Sequence, residues 1–327
     1  MTSTAKALPA GATITVFGGS GFLGRHIVQT LARRGYRLRV AVRRPNEAHF
    51  LRPMGDVGQI ELVQANIRDD ASVKAALTGA QGVVNLVGIL HESGKQKFVS
   101  VQAEGAARVA GHAAELGVTT FVQMSAIGAD AQSGSIYARS KAYGEAAVRK
   151  AMPEAVILRP SIVFGPEDDF FNRFADMARL SPFLPLIGGG KTKFQPVYVK
   201  DVAEAVARVI ERGITGKTYE LGGPEVMSFR DLMKLTLKVI RRERLLLPLP
   251  FFVASIQARF MQLLPKPLLT VDQVRLLRSD NVVSAQALAE GRTIEDLGIQ
   301  PTAPQAILET YLYRFRRTGQ YEQVTAG

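Results

Sequence analysis

Cysteine and tryptophan are absent from the 327 residues, and histidine occurs only four times. Without thiols there is no disulfide framework, no thiolate zinc site and no cysteine nucleophile, a usage that fits a reducing compartment. His26, His49, His91 and His112 stand apart from one another with no acidic cluster beside them, so they read as surface or packing residues and no metal is expected. Long apolar runs are missing too. The longest, Leu245–Ile256, is broken by Pro248 and Pro250, whereas a membrane-spanning helix needs about 20 residues. Met1–Gly11 carries a single lysine and no apolar stretch, so neither a secretory signal nor an arginine-rich presequence is expected.

What is present describes a folded globule: 46% hydrophobic and 21% charged residues. The length suits one large domain with an elaborated second lobe. Lys and Arg number 41 against 29 Asp and Glu, a net charge of +12 that is spread over both halves. One patch is dense: Arg25, Arg33, Arg34, Arg37, Arg39, Arg43 and Arg44 follow with no acid among them. Such a balance favours an acidic partner: a phosphorylated cofactor, an anionic membrane face or an acidic subunit. A nucleic acid is not expected, because only Tyr36 interleaves with those arginines and aromatic stacking platforms are lacking.

The first half alternates short β-rich runs with helical ones. Strands are expected at Thr13–Phe17, Arg37–Val42, Ile60–Gln64, Gly82–Val87, Thr119–Met124 and Ala155–Arg159. Helices are expected at Phe22–Arg34, Lys97–Leu116 and Tyr137–Ala151. That alternation predicts an α/β fold, a doubly wound parallel sheet of the Rossmann type covered on both faces. Residues 1–165 would form the dinucleotide-binding domain and 166–327 a smaller, mostly helical lobe that returns strands to the sheet. In that lobe Pro182, Pro185 and Gly188–Gly190 predict a long loop, followed by strands at Phe194–Val199 and Thr218–Leu221 and helices at Val202–Arg212 and from about Ser228. Gly190-Lys191-Thr192 imitates the end of a P-loop, but Pro185 occupies the place of its first glycine.

Gly18-Gly-Ser20-Gly21-Phe22-Leu23-Gly24 follows the first strand and opens a helix. That context makes it a dinucleotide fingerprint: a tight turn, a backbone that a pyrophosphate can approach, a close helix–strand contact and free N–H groups for the phosphates. An Asp or Glu at the end of the second strand would accept from a ribose 2′-hydroxyl. Here that strand runs into Arg43-Arg44, with no acid before Glu47, which points to the 2′-phosphate of NADP(H). Asn66 and Ile67 after the third strand are placed against the adenine, and Leu86, Val87 and Gly88 after the fourth against the nicotinamide-side ribose.

Tyr137 and Lys141 lie four residues apart on one helix face. A neighbouring ammonium should lower the phenol and make Tyr137 an acid/base for hydride transfer, with Lys141 also bonding the ribose and Ser125 addressing a substrate carbonyl.

These motifs resemble those of the extended and atypical short-chain dehydrogenase/reductases. The match extends through Arg159-Pro160-Ser-Ile162-Val163-Phe-Gly-Pro166 and Pro196–Asp201, and it implies that Pro160, Ile162 and Val163 border the cofactor. Within that class the chain is similar to the NADPH-binding accessory subunits of respiratory complex I and their bacterial relatives, through Leu221–Pro224 and Val271–Val283. The resemblance implies NADPH in a mainly structural role, complex I subunits as partners, and a peripheral place on the cytoplasmic face of a bacterial inner membrane. It assigns no small-molecule substrate. Two departures bear on turnover: Ser125 is followed by Ala126-Ile127-Gly128 rather than a Ser/Thr-rich stretch, and Gln102 stands where an Asn often sits. The alternative is a free NADP-dependent reductase or nucleotide-sugar epimerase or dehydratase, which needs a polar cleft in its C-terminal half. Leu245–Leu269 is instead apolar, and a helix from Pro250 would present Phe252, Ile256, Phe260, Leu263 and Leu264 on one face. That face either packs inside the protein or docks near a lipid surface.

Overall fold

The computed structural model describes residues 7–262, 267, 269–317 and 319. They form two compact units. The first takes in the chain up to Pro160, Lys200–Leu221 and Ser284–Gln300; the second takes in Ser161–Val199, Gly222–Val283 and the chain from Pro301.

The first unit is built on seven parallel strands: β1 (Thr13–Phe17), β2 (Arg37–Val42), β3 (Ile60–Gln64), β4 (Gly82–Asn85), β5 (Thr120–Met124), β6 (Val156–Pro160) and β11 (Thr218–Leu221). Their order is β11-β6-β5-β4-β1-β2-β3, with Ile14 paired to Leu38 on one side and Gly82 on the other. Chain order therefore reverses at β1, between β4 and β2, and this opens a crevice at the strands' carboxyl ends. Ile14, Val16, Val40 and Val84 are buried completely, which explains why these strands read as continuous apolar runs rather than alternating ones. The helices are α1 (Phe22–Arg33), α2 (Asp70–Leu77), α3 (Glu104–Glu115), α4 (Ile136–Ala151), α6 (Val199–Glu211) and the short α10 (Ala285–Ala289).

The expected elements appear within a few residues of their predicted ends. The helix α2 was not foreseen; Asp69 caps it by accepting from the Ser72 N–H at 3.0 Å. The helix expected over Lys97–Leu116 begins with a π-helical turn, Val99–Ala103, before α3. There Gly144 of α4 lies against the Gln102 carbonyl, where a Cβ would come within 2.3 Å of the oxygen. Such a widened turn is a local packing solution with no signature in apolar periodicity.

In the second unit two expectations change. The loop predicted across Pro182–Gly190 contains β8 (Phe183–Ile187), paired in parallel with β13 (Leu245–Leu249). A two-stranded ribbon has two open edges, so Pro185 and Pro248 can sit where no N–H is needed. The strand predicted at Phe194–Val199 is two short pieces, β9 (Lys193–Phe194) and β10 (Val197–Tyr198), joined through Pro196. The first pairs with β12 (Met227–Ser228) and the second with β7 (Val163–Phe164). The remaining helices are α5 (Phe171–Leu180), α7 (Phe229–Val239), α8 (Phe251–Met261), α9 (Val271–Leu276) and α11 (Pro304–Leu312).

An aromatic cluster organises this unit. Phe170 meets Phe171 and Phe174 edge-on at 5.1 Å, and Phe174 meets Phe229 at 5.4 Å. Each such pair adds about 0.5–1.5 kcal/mol beyond burial. Buried Asp168 opens α5 by accepting from the Phe171 N–H at 2.6 Å, and the Tyr311 hydroxyl donates to the same carboxylate.

Candidate cofactor site

The crevice at the ends of β1 and β4 is made by the glycine loop. Gly18 adopts φ +78, a left-handed conformation that a side chain would strain. A Cβ at Gly24 would come within 2.4 Å of the Gly18 carbonyl oxygen and 2.6 Å of Gly19 Cα, so only glycine lets α1 start this close to β1. Gly21 differs: its nearest contact would be at 3.4 Å, in ordinary van der Waals range. It is the N-cap of α1, with no side-chain cap, so the first N–H groups of the helix face the crevice unsatisfied by side chains. Arg25 braces the loop by donating to the Gly21 carbonyl at 3.4 Å, with its guanidinium over the Phe50 ring at 4.9 Å.

Gly18, Ser20, Gly21, Phe22, Leu23 and Gly24 line this crevice together with Arg43, Asn66, Ile67, Leu86, Val87 and Gly88. Among the described residues it has no acidic lining residue, and Arg43 is its one charged side chain. Arg44 is elsewhere: it points to solvent and bonds Glu47 at 2.8 Å, an exposed pair of little energetic weight. Gln96, unforeseen in the sequence, also reaches the crevice, on a loop closed by mutual Ser93–Gln96 backbone bonds. Asn66 fixes the turn after β3, accepting from the Arg68 N–H at 3.1 Å. Pro160 ends β6 in the same unit, while Ile162 and Val163 belong to the second unit.

Lys141 is buried and donates to the Met124 carbonyl at a long 3.4 Å. A Cβ on Gly88 would lie 3.2 Å from its Nζ, so the ammonium sits beside the crevice wall. Burial pushes Lys141 down to about 8, against the opposing pull of Glu145. Tyr137 packs edge-on to Phe98 at 5.7 Å, and the Lys141 Nζ stands 5.9 Å from its ring centroid. The expectation of a lowered phenol is not met: burial pushes Tyr137 up to about 12, and the ammonium 5.9 Å from the ring centroid does not offset it. A phenol held that high remains a proton donor at neutral pH and does not act as a base there.

Ser125 lies buried at the end of β5, and its hydroxyl donates to Glu145 Oε1 at 2.5 Å. That carboxylate is also gripped by Arg159, Nε at 2.8 Å and a terminal nitrogen at 2.7 Å. The one proton of Ser125 is thus committed within the protein, not offered to a substrate. Glu145 is a site residue that the sequence reasoning missed. The signal was available: Tyr137, Lys141 and Glu145 follow at four-residue spacing on one face of α4. Gln102 is buried as well; its amide donates to the Ile89 carbonyl at 2.8 Å while its side-chain oxygen has no partner among the described residues.

A parallel sheet whose order reverses at a glycine loop, with Lys141 beside the crevice, is the arrangement of one large group of dinucleotide-dependent proteins. Residues 14–222 match the family described as NAD dependent epimerase/dehydratase. The chain belongs to that family. Among its curated relatives is the mitochondrial NADH dehydrogenase [ubiquinone] 1 alpha subcomplex subunit 9 of Arabidopsis thaliana, 36% identical over 95% of this chain and 79% of its own length. The fold of this chain is shared by an NADPH-dependent quinone oxidoreductase of Escherichia coli solved with NADPH, at a TM-score of 0.70 and 23% identity over 90% of this chain and 97% of that one. It is shared equally by the dTDP-glucose 4,6-dehydratase of Streptomyces venezuelae solved with NAD, at 0.70 and 20% identity over 95% of this chain and 97% of that one. Family membership supports a nicotinamide dinucleotide at the crevice. The fold serves both NAD and NADPH, so the choice between them falls to the lining residues.

Proposed function

We propose that this protein is an accessory subunit of respiratory complex I that holds NADP(H) as a mainly structural cofactor. The observation that carries the assembly reading is the 36% identity to a complex I subunit over nearly the whole chain, 95% of its length. NADP(H) over NAD(H) is supported by the crevice itself, which among the described residues offers Arg43 and no carboxylate. In this reading the N–H groups at the start of α1 hold the pyrophosphate, Arg43 the 2′-phosphate, and Lys141 the ribose hydroxyls. Asn66 and Ile67 border the adenine. The cofactor would supply hydride chemistry if it turned over. The residues around it argue for retention instead: Ser125 is bonded to Glu145, and burial makes Tyr137 a weaker acid. A ligand bound only to the folded chain stabilises it by about 4 kcal/mol at a thousandfold excess over Kd. The place of work in this reading is peripheral, on the cytoplasmic face of a bacterial inner membrane. No helix among the described residues is long and apolar enough to cross one.

Affinity purification of the tagged chain from detergent-solubilised membranes tests this, with mass spectrometry of the partners and extraction of the cofactor. Complex I subunits and NADPH are the expected yield. The free-reductase reading gains its support from the intact Tyr137 and Lys141 pair. It would prevail if the chain came off alone with a reductase activity that Tyr137→Phe abolishes.

A further inference from the structure

The helix α8 is built inside out. It buries Ala254 and Ala258 against Ile187 and Val274, and turns Phe252, Ile256 and Phe260 to solvent at 67%, 54% and 70% exposure. Those three follow at four-residue spacing, one stripe along the outer face. The preceding ribbon repeats the inversion: Leu245 and Leu247 of β13 are exposed, and Leu245 pairs with exposed Phe183 of β8. Leu180, at the end of α5, is exposed at the same corner, where the Leu245 N–H bonds the Pro182 carbonyl and Arg244 bonds the Ala178 carbonyl. Isolated exposed apolar side chains need no explanation; a contiguous set does.

The charge beside this surface selects its occupant. Lys234, Lys238 and Arg241 follow at four- and three-residue spacing along α7 and past its end, and with Arg242 and Arg244 they line an open depression that contains one acid, Glu243. Leu246 of β13 lines the same depression, so the cations adjoin the ribbon. Arg241 holds φ +51 at the turn, a left-handed conformation unusual for a side-chain-bearing residue. Apolar side chains bordered by a row of cations match the layering of a bilayer surface, acyl boundary beside phosphate. An acidic protein surface would match the cations but leave the phenylalanines in water.

We infer that this face of the second unit seats on the surface of an anionic phospholipid bilayer. The ribbon and α8 enter the headgroup boundary, and Lys234, Lys238 and Arg241 contact the phosphates. The inference deepens the peripheral location in the proposed function, yet it is tested on the isolated chain and can fail while the subunit reading stands. Full-length protein is floated with vesicles of phosphatidylcholine alone and of phosphatidylcholine mixed with phosphatidylglycerol. Flotation is expected only with the anionic vesicles, and weaker at high salt. Lys234→Gln with Lys238→Gln should weaken it about thirtyfold, at roughly fivefold per cation. Phe252→Ser, Ile256→Ser and Phe260→Ser together should weaken it more than about a hundredfold. Both variants should keep the wild-type melting temperature and cofactor affinity, because these side chains are exposed. Absence of flotation, equal flotation with both vesicles, or a triple-serine variant that floats like wild type would each overturn the inference. So would a triple-serine variant that unfolds, since the stripe would then be core.

Discussion

The glycine loop and α8 lie at opposite ends of one physical scale. At the loop, close packing dictates residue identity: a Cβ at Gly24 meets backbone at 2.4 Å, and the positive φ of Gly18 excludes side chains. On α8 the large apolar side chains of the outer face are exposed. Steric necessity writes a motif that can be read anywhere it occurs. An apolar face can be read as apolar, but not as inward or outward. Leu263 and Leu264, predicted to extend that face, lie outside the described residues.

Substitutions at the loop should produce the largest effects and divide its two roles. Gly24→Ala forces overpacking worth about 1–3 kcal/mol and also breaks the cofactor cradle. Its melting temperature should therefore fall both without and with NADPH. Gly21→Asp has room for its Cβ, so the cofactor-free protein should melt near wild type and lose only the rise that NADPH gives. If both variants melted alike in the absence of cofactor, packing and phosphate binding would not be separable here.

Lys141 comes next. Its folded value near 8 lies below its ordinary 10.5, so between those pH values the folded chain binds fewer protons than the unfolded one. Stability without cofactor then rises with pH across that window, and the loss is complete below about 8. Lys141→Met should raise cofactor-free stability at neutral pH, by at most about 3 kcal/mol, and flatten that rise while weakening NADPH binding. A variant less stable than wild type at neutral pH would show that the ammonium is well supported in the apo protein.

Arg43 and Arg44 give a smaller and sharper contrast. Arg43→Ala should cost about 1.5–3 kcal/mol of NADPH affinity and leave NADH affinity nearly unchanged. Arg44→Ala, which breaks only an exposed pair with Glu47, should cost less than about 1 kcal/mol. Equal losses in titrations of the two variants would mean that both guanidiniums reach the phosphate.

The smallest effect belongs to the outer face of α8. Phe252→Ser should shift stability by no more than about 0.5 kcal/mol, as an exposed substitution does. Ala258→Leu, on the buried side, should cost about 1–3 kcal/mol by overpacking. A reversed ranking in thermal melts would turn the helix around.

Much of this protein was legible before its structure. Apolar runs buried on both faces, separated by helices, specify a parallel doubly wound sheet. The glycine loop fixes where that sheet opens, since backbone approach to a phosphate tolerates few residue types. The missing acid after β2 raised the expectation of NADP(H), which the Arg43 titrations test. Tertiary structure decided what depends on partners distant in sequence. Ser125 donates to Glu145, twenty residues on, and Arg159 from β6 fixes that carboxylate, so the hydroxyl expected to face a substrate is spent inside the protein. Arg44 turned to Glu47 while Arg43 kept the crevice. Burial outweighed a cation at 5.9 Å and raised Tyr137 instead of lowering it. Pro182–Gly190 became partly strand because Leu245–Leu249 came to lie beside it. Local sequence sets which conformations and charges are allowed; desolvation and hydrogen-bond partnership arise only when the chain folds, and they set what each group can do.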